Sequence, residues 1–285
     1  MRSFTKRSAF FYKFVKRPQT ADNRQQMLLV FTFLALGSQI LILCSLFFIL
    51  YSIKMKYKYV FLDLDDTIWD FHTNARLSLE DMFIDRNLNQ YFADFDEFFK
   101  IYAKRNIELW EAYGKGEITQ EFLKAERFRY PLAKMGVDDL DLAIEIGRQY
   151  LEILPTKKVL MPYAKELLDY LYEKYPLSII SNGFTEVQFK KINSSGIAKY
   201  FKHIVLSESA GALKPDKQIF EYALSLNNAT AESTIMIGDS YAADIMGAQN
   251  AGIDQIYLPL NKDENTENKT ATYIIKSLND VFSIL

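Results

Sequence analysis

Cysteine occurs once in the 285 residues, at Cys44, and histidine twice, at His72 and His203. One cysteine excludes a disulfide framework and a cysteine metal site, and two histidines exclude a His-rich zinc site. Internal repeats and low-complexity linkers are also lacking. Positive charge is scarce where it matters. Residues 1–54 hold eight bases and one acid, which leaves 26 bases against 35 acids, a formal −9, on residues 55–285. A body that acidic argues against a nucleic acid polymer as partner, because phosphate backbones are held by clustered Lys and Arg. What is present is ordinary for a folded chain: 49% hydrophobic and 25% charged residues, with a length that suits one or two domains.

The leading segment stands apart. Residues 27–53, MLLVFTFLALGSQILILCSLFFILYSI, carry no charge. At about 1.5 Å per residue in a helix, they are long enough to cross a hydrocarbon core of roughly 30 Å. As written, residues 1–54 are a basic N-terminus followed by a membrane span, and the preceding bases would keep that N-terminus in the cytoplasm. The alternative, preferred here, is that translation begins at Met55, which would leave a cytoplasmic protein. Only a few residues separate Ile53 from a strand that reads as the middle of a buried sheet, and that linker is short for an anchor.

Beyond it, the run at 57–62 lacks clean alternation and predicts a strand buried on both faces of a parallel sheet. Similar runs at 177–180, 204–206, 234–237 and 255–258 predict further strands. Helical patterns lie between them at 163–174, 186–193, 217–226 and 242–251, the last closed by Gly252. Strands alternating with helices of about ten residues predict an α/β fold, a doubly wound parallel sheet. Residues 74–158 break this rhythm with helical, aromatic-rich sequence. They read as a helical cap inserted into a core formed by 55–73 and 159–285. The polar run at 261–270 reads as a surface loop.

In such a sheet, ligands bind beyond the carboxyl ends of the strands. "YVFLDLDDTIWDF", residues 59–71, places Asp63 and Asp65 after the first strand; Ser181 and Asn182 follow another, and Asp239 a third. With Asp244, four carboxylates would converge. At about 4 Å and an effective dielectric near 20, each pair of unit charges costs roughly 4 kcal/mol before screening. They require a cation, and all-oxygen ligation is what Mg²⁺ prefers. Lys214 in "GALKPD" offers a second positive charge.

The order Asp63-x-Asp65-x-Thr67, then Ser181, then Lys214, then Gly238-Asp239 with Asp244 resembles the haloacid dehalogenase-like hydrolases across essentially all of residues 55–285. The helical insertion sits where that family has its cap. The resemblance implies a Rossmann-like core and phosphoryl transfer through an aspartyl-phosphate. Asp63 would be the nucleophile and Asp65 the general acid and base. Mg²⁺ would be held by Asp63, the backbone carbonyl of Asp65, and Asp239. Thr67, Ser181, Asn182 and Lys214 would bind phosphate or balance its charge, and Asp244 would orient Lys214 or a metal-bound water. Many family members have Gly at the position of Asp66, so this residue reads as turn or surface. Trp69, Phe71 and Trp110 read as packing, and the two histidines need no functional role.

Asp65 disfavours dehalogenation, since halide leaves without a proton and true dehalogenases lack an acid there. "DLDDTIWDF" with a cap containing "LWEAYGKGEIT" looks like the bacterial pyrimidine 5'-nucleotidases, which would make the substrate a small phosphate monoester of nucleoside monophosphate type. The alternatives are another sugar-phosphate phosphatase or phosphomutase of the same family, and an inactive, membrane-anchored interaction protein.

Overall fold

Val60, Phe61 and Leu62 have no polar atom beyond the backbone, and in the computed structural model, which describes residues 56–261 and 266–285, all three are buried. They belong to β1 (Tyr59–Leu62). Its parallel neighbours are β2 (Leu177–Ser181) on one side and β4 (Thr234–Gly238) on the other. With β3 (Phe201–Leu206), β5 (Asp254–Tyr257) and β6 (Tyr273–Ile274) the sheet runs β3-β2-β1-β4-β5-β6, every pair parallel. Side chains alternate across a strand. Phe61, Ile180 and Met236 therefore share one face, where Ile219, Phe220 and Ala223 cover them. Val60, Leu62, Ile235 and Ile237 point the other way and are buried too. Both faces are covered, as the unalternating strand sequences require. The chain moves outward from β1 to β3, then returns to place β4 on the other side of β1. The crevice at that reversal lies beyond the carboxyl ends of β1 and β4.

Between β1 and β2 lies the helical cap: α1 (Phe71–Asp85), α2 (Phe95–Gly114), α3 (Gln120–Lys134) and α4 (Leu140–Ile153). Asp70, Asp94, Thr119 and Asp139 cap them, each accepting from a backbone N–H of the first turn. Asp70 starts α1 three residues before the expected boundary at 74. The cap core is aromatic, with Phe83, Phe92, Phe98, Tyr102, Phe128 and Tyr150 linked by ring contacts of 5.2–6.3 Å.

Cap and core are joined by two paired segments. Asp70 N–H donates to the Val159 carbonyl at 3.2 Å and Met161 N–H to that of Ile68 at 2.9 Å. The buried Asn74 amide donates to the Val159 carbonyl at 2.8 Å and accepts from its N–H at 3.1 Å. Among the described residues, α5 (Ala164–Tyr172), α6 (Thr185–Ser194), the short α7 (Ser207–Ala210) and α8 (Lys217–Asn227) follow in chain order.

The expected helix at 242–251 opens with a wide π-type turn over Tyr241–Ile245 before α9 (Met246–Asn250), and Gly252 follows at φ 75°. At two residues, β6 is too short to leave a periodic signal. Of the expected loop at 261–270, residues 262–265 lie outside the described residues; Thr270 N–H donates to the Tyr241 hydroxyl at 3.0 Å. The membrane-span reading of residues 27–53 also lies outside the described residues, among which no helix is long and apolar enough to cross a membrane.

Candidate active site

The chain turns sharply where β1 ends. Ile68 and Trp69 N–H groups both return to the Leu64 carbonyl, at 2.9 and 2.8 Å. Asp66 sits inside this turn at φ 60°, the left-handed region, which accounts physically for a glycine preference at that position. Asp66 belongs to the turn but is not a surface residue. It is buried, accepting from the His72 backbone N–H at 3.1 Å and lying 2.8 Å from the His72 ring nitrogen. His72 thus has a structural partner, which burial and the Asp66 hydrogen bond together make visible: the hydrogen bond raises the imidazole pKa against burial, which lowers it.

The turn leaves Asp63 and Asp65 facing a common crevice with Asp239, which directly follows β4. Asp63, Asp239 and Asp244 each place a carboxylate oxygen within 4.8 Å of the others. Lys214 penetrates this group and is itself buried. Its ammonium donates to Asp63 Oδ1 at 2.5 Å, Asp244 Oδ1 at 2.6 Å and the Ile180 carbonyl at 2.8 Å. All three N–H donors are thereby used. Asp244 accepts through its other oxygen from the Ser240 N–H at 3.0 Å. Of its two expected roles, the one visible here is holding Lys214. Gly238 is required by this arrangement, because a β-carbon there would come within 2.4 Å of the Asp244 carboxylate. Thr67 is fully buried and donates to Asp239 Oδ1 at 3.0 Å, so its hydroxyl positions an acid rather than facing the cavity as a phosphate ligand would.

The electrostatics are those of a site short of positive charge. Burial, with repulsion from Asp244 and Asp65, pushes Asp63 up to about 7 in spite of Lys214. Burial also holds Asp239 well above the usual carboxylate range, with Asp63 and Asp244 adding to it. Burial lowers the Lys214 pKa, but Asp244 and Asp63 outweigh it and the net shift is upward. One lysine does not neutralise three acids. The set is all-oxygen, compact and electron-rich, and Asp63 and Asp239 each keep an oxygen clear of these side-chain bonds. A Mg²⁺ ion fits that chemistry.

Ser181 Oγ accepts from Gly183 N–H at 3.2 Å and from the Gln188 amide at 2.7 Å, which leaves its own proton to offer. The Asn182 side chain exchanges two hydrogen bonds with the Lys214 backbone, its carbonyl oxygen accepting at 2.7 Å and one amide N–H donating at 2.9 Å. In this arrangement it shapes the lysine loop and keeps its second amide N–H at the cavity it lines.

Two residues of α6 escaped the sequence reading. Lys191 donates to Asp65 Oδ1 and Gln188 to Asp65 Oδ2, both at 2.7 Å. The Lys191 ammonium also lies 4.4 Å from the Trp69 ring centroid. The signal was available: Val187, Gln188, Lys191 and Ile192 form the buried stripe of α6, and two polar residues in an apolar stripe demand partners.

A cavity of about 260 Å³ opens over this cluster. Asp63, Asp65, Ser181, Asn182, Lys214, Asp239 and Asp244 line its floor, while Phe71, Trp110, Arg127 and Tyr150 descend from the cap. Phe71 and Trp110 are therefore cavity walls as well as packing; Trp110 stacks on Phe184 at 5.3 Å. Trp69 does not line the cavity: it is fully buried, with its indole N–H on Ser195 Oγ at 3.1 Å and its ring against the Lys191 ammonium.

The family model described as haloacid dehalogenase-like hydrolase matches residues 57–252. The chain is 32% identical to the HAD-hydrolase YfnB of Bacillus subtilis over 234 residues, 81% of this chain and 96% of the relative. A crystal structure of YfnB bound to magnesium superposes with a TM-score of 0.73 at 31% identity, covering 81% of this chain and 99% of that one. Identity is 30% both to the pyrimidine 5'-nucleotidase YjjG of Escherichia coli and to the pyrimidine 5'-nucleotidase PynA of Streptococcus pneumoniae. Each alignment covers 81% of this chain, and 99% and 96% of the relatives.

Proposed function

The chain belongs to the haloacid dehalogenase-like hydrolases, and from that membership we propose that it is a Mg²⁺-dependent phosphatase, a 5'-nucleotidase that removes phosphate from pyrimidine nucleoside monophosphates. The observation that carries the reading is the pairing of Asp63 with Lys214 beside a second, independently held acid, Asp65. Asp63 is the nucleophile: its oxygen bonds to phosphorus as the bond from phosphorus to the ester oxygen breaks. Asp65 gives a proton to the departing alkoxide. It then takes one from the water that attacks the aspartyl-phosphate, releasing inorganic phosphate and restoring the Asp63 carboxylate.

Gln188 and Lys191 act on this cycle by fixing the direction of the Asp65 carboxyl. Ser181 offers its proton to a phosphate oxygen, and Lys214 holds Asp63 in line. Mg²⁺, bound by Asp63, Asp239 and the Asp65 backbone carbonyl, would supply charge neutralisation for the incoming phosphate. Asp244 acts through Lys214.

The pyrimidine assignment draws on YjjG and PynA, each aligned with 81% of this chain. Phosphate release from a panel of pyrimidine and purine nucleoside monophosphates, sugar phosphates and phosphoserine tests it. Preference for the pyrimidine nucleotides is expected. A preference for a sugar phosphate, or interconversion of glucose phosphates without release, would replace the assignment with a sugar phosphatase or a mutase.

A further inference from the structure

Arg127 is 3% exposed, yet its Nε and Nη2 have no hydrogen-bond partner. It forms no ion pair among the described residues. Its neighbours are the ring faces of Tyr150, 5.0 Å away, and Phe128, 5.2 Å away, and the buried Tyr102 hydroxyl, and none of them carries a counter-charge. The hydroxyls of fully buried Tyr150 and of Tyr102 beside it form no hydrogen bond of regular geometry either. A buried guanidinium without a carboxylate partner costs stability. Arg127 and Tyr150 line the wall of the cavity whose floor holds Asp63 and Asp65.

A fold that keeps a cation unpaired above its reaction centre leaves it for something that arrives there. Arginine has five N–H donors and no acceptor, so the arriving atom must be an acceptor oxygen or nitrogen. The surrounding wall is flat and apolar, with Phe71, Leu151, Leu154 and the Trp110–Phe184 stack. Aromatic faces beside a planar donor fork suit a flat heterocycle carrying ring carbonyls better than a short aliphatic carboxylate.

We propose that Arg127, assisted by the Tyr150 hydroxyl, is the specificity-determining residue of the cap and hydrogen-bonds a ring carbonyl oxygen of the substrate's pyrimidine base. This rests on the nucleotidase reading above and gives it a residue. Phosphate is handled by the floor, and Arg127 selects what hangs from it. Its contribution therefore belongs to substrates with a base and is missing from those without one.

The test compares UMP with ribose 5-phosphate, the same phosphoribosyl group lacking the base, in the wild type and in Arg127→Met, Arg127→Lys and Tyr150→Phe. Arg127→Met is expected to lower the UMP to ribose 5-phosphate ratio of kcat/KM on the order of ten- to a hundredfold, chiefly through KM. Arg127→Lys should recover part of that ratio. Tyr150→Phe, which removes one hydroxyl and preserves the packing, should lower it roughly two- to tenfold. Equal losses on both substrates, or an unchanged ratio in the variants, would overturn the assignment to Arg127 while leaving the nucleotidase reading intact. A wild type that does not prefer UMP to ribose 5-phosphate refutes the nucleotidase reading, and this inference with it. Selective loss of 3-phosphoglycerate or phosphoserine turnover in the Arg127 variants would assign the arginine to a carboxylate and overturn the base contact.

Discussion

Replacing Lys214 with Met puts the electrostatic argument under the greatest load. The side chains are similar in length, so packing in the channel is largely kept, while the ammonium that bonds Asp63, Asp244 and the Ile180 carbonyl is lost. Three acids with oxygens within 4.8 Å of one another then have no internal counter-charge. Removing one partner of a buried ion pair typically costs about 3–5 kcal/mol. For a body of this size that corresponds to roughly 6–20 °C in melting temperature. The loss is not uniform across conditions, because protons or a divalent ion can each replace the missing charge. In urea denaturation the variant should be most destabilised at pH 8 without metal, less so at pH 5, and partly rescued by millimolar Mg²⁺. Asp244→Asn in the Lys214→Met background should restore part of the loss, since it removes one of the charges left in excess. A destabilisation below about 1 kcal/mol that ignores pH and metal would refute the reasoning.

Further expectations are narrower. Asp63→Asn should abolish turnover with circular dichroism unchanged; substantial residual rate would count against the covalent route. Raised folded-state pKa values mean that folded Asp63 binds its proton more tightly than the unfolded chain does, so the stability this confers is present at low pH and lost as pH climbs from about 4 to about 7. Metal-free protein should accordingly weaken over that window, by about 4 kcal/mol at most for Asp63, and thermal melts with Mg²⁺ should show a larger gain at pH 8 than at pH 5. Lys191→Met should depress kcat through mispositioning of Asp65, roughly tenfold to a thousandfold, with a smaller change in KM; an unaltered kcat would remove Lys191 from the account.

The strands were legible because both faces of the sheet are covered, which forces uninterrupted apolar runs such as residues 60–62 and 235–237. Strand ends were legible for the same reason: charge resumes abruptly at Asp63 and Asp239. What stayed hidden depends on contacts far apart in sequence. Lys191 and Gln188 serve Asp65 across more than a hundred residues, and nothing local marks them beyond their place on a buried stripe. Thr67 and Asn182 carried the right motif positions, yet their hydrogen bonds to Asp239 and to the Lys214 backbone follow from the exact turn each chain segment takes. Arg127 was harder still. In the sequence it is one of many charges on a cap helix, and only its burial among Phe128 and Tyr150 sets it apart.

The most direct measurement is phosphate release from UMP by the purified protein before and after chelation. If a divalent cation completes the acid cluster, EDTA should suppress the rate by a factor on the order of a thousand or more and added Mg²⁺ should restore it. An undiminished rate in the chelated enzyme would contradict the account at its centre.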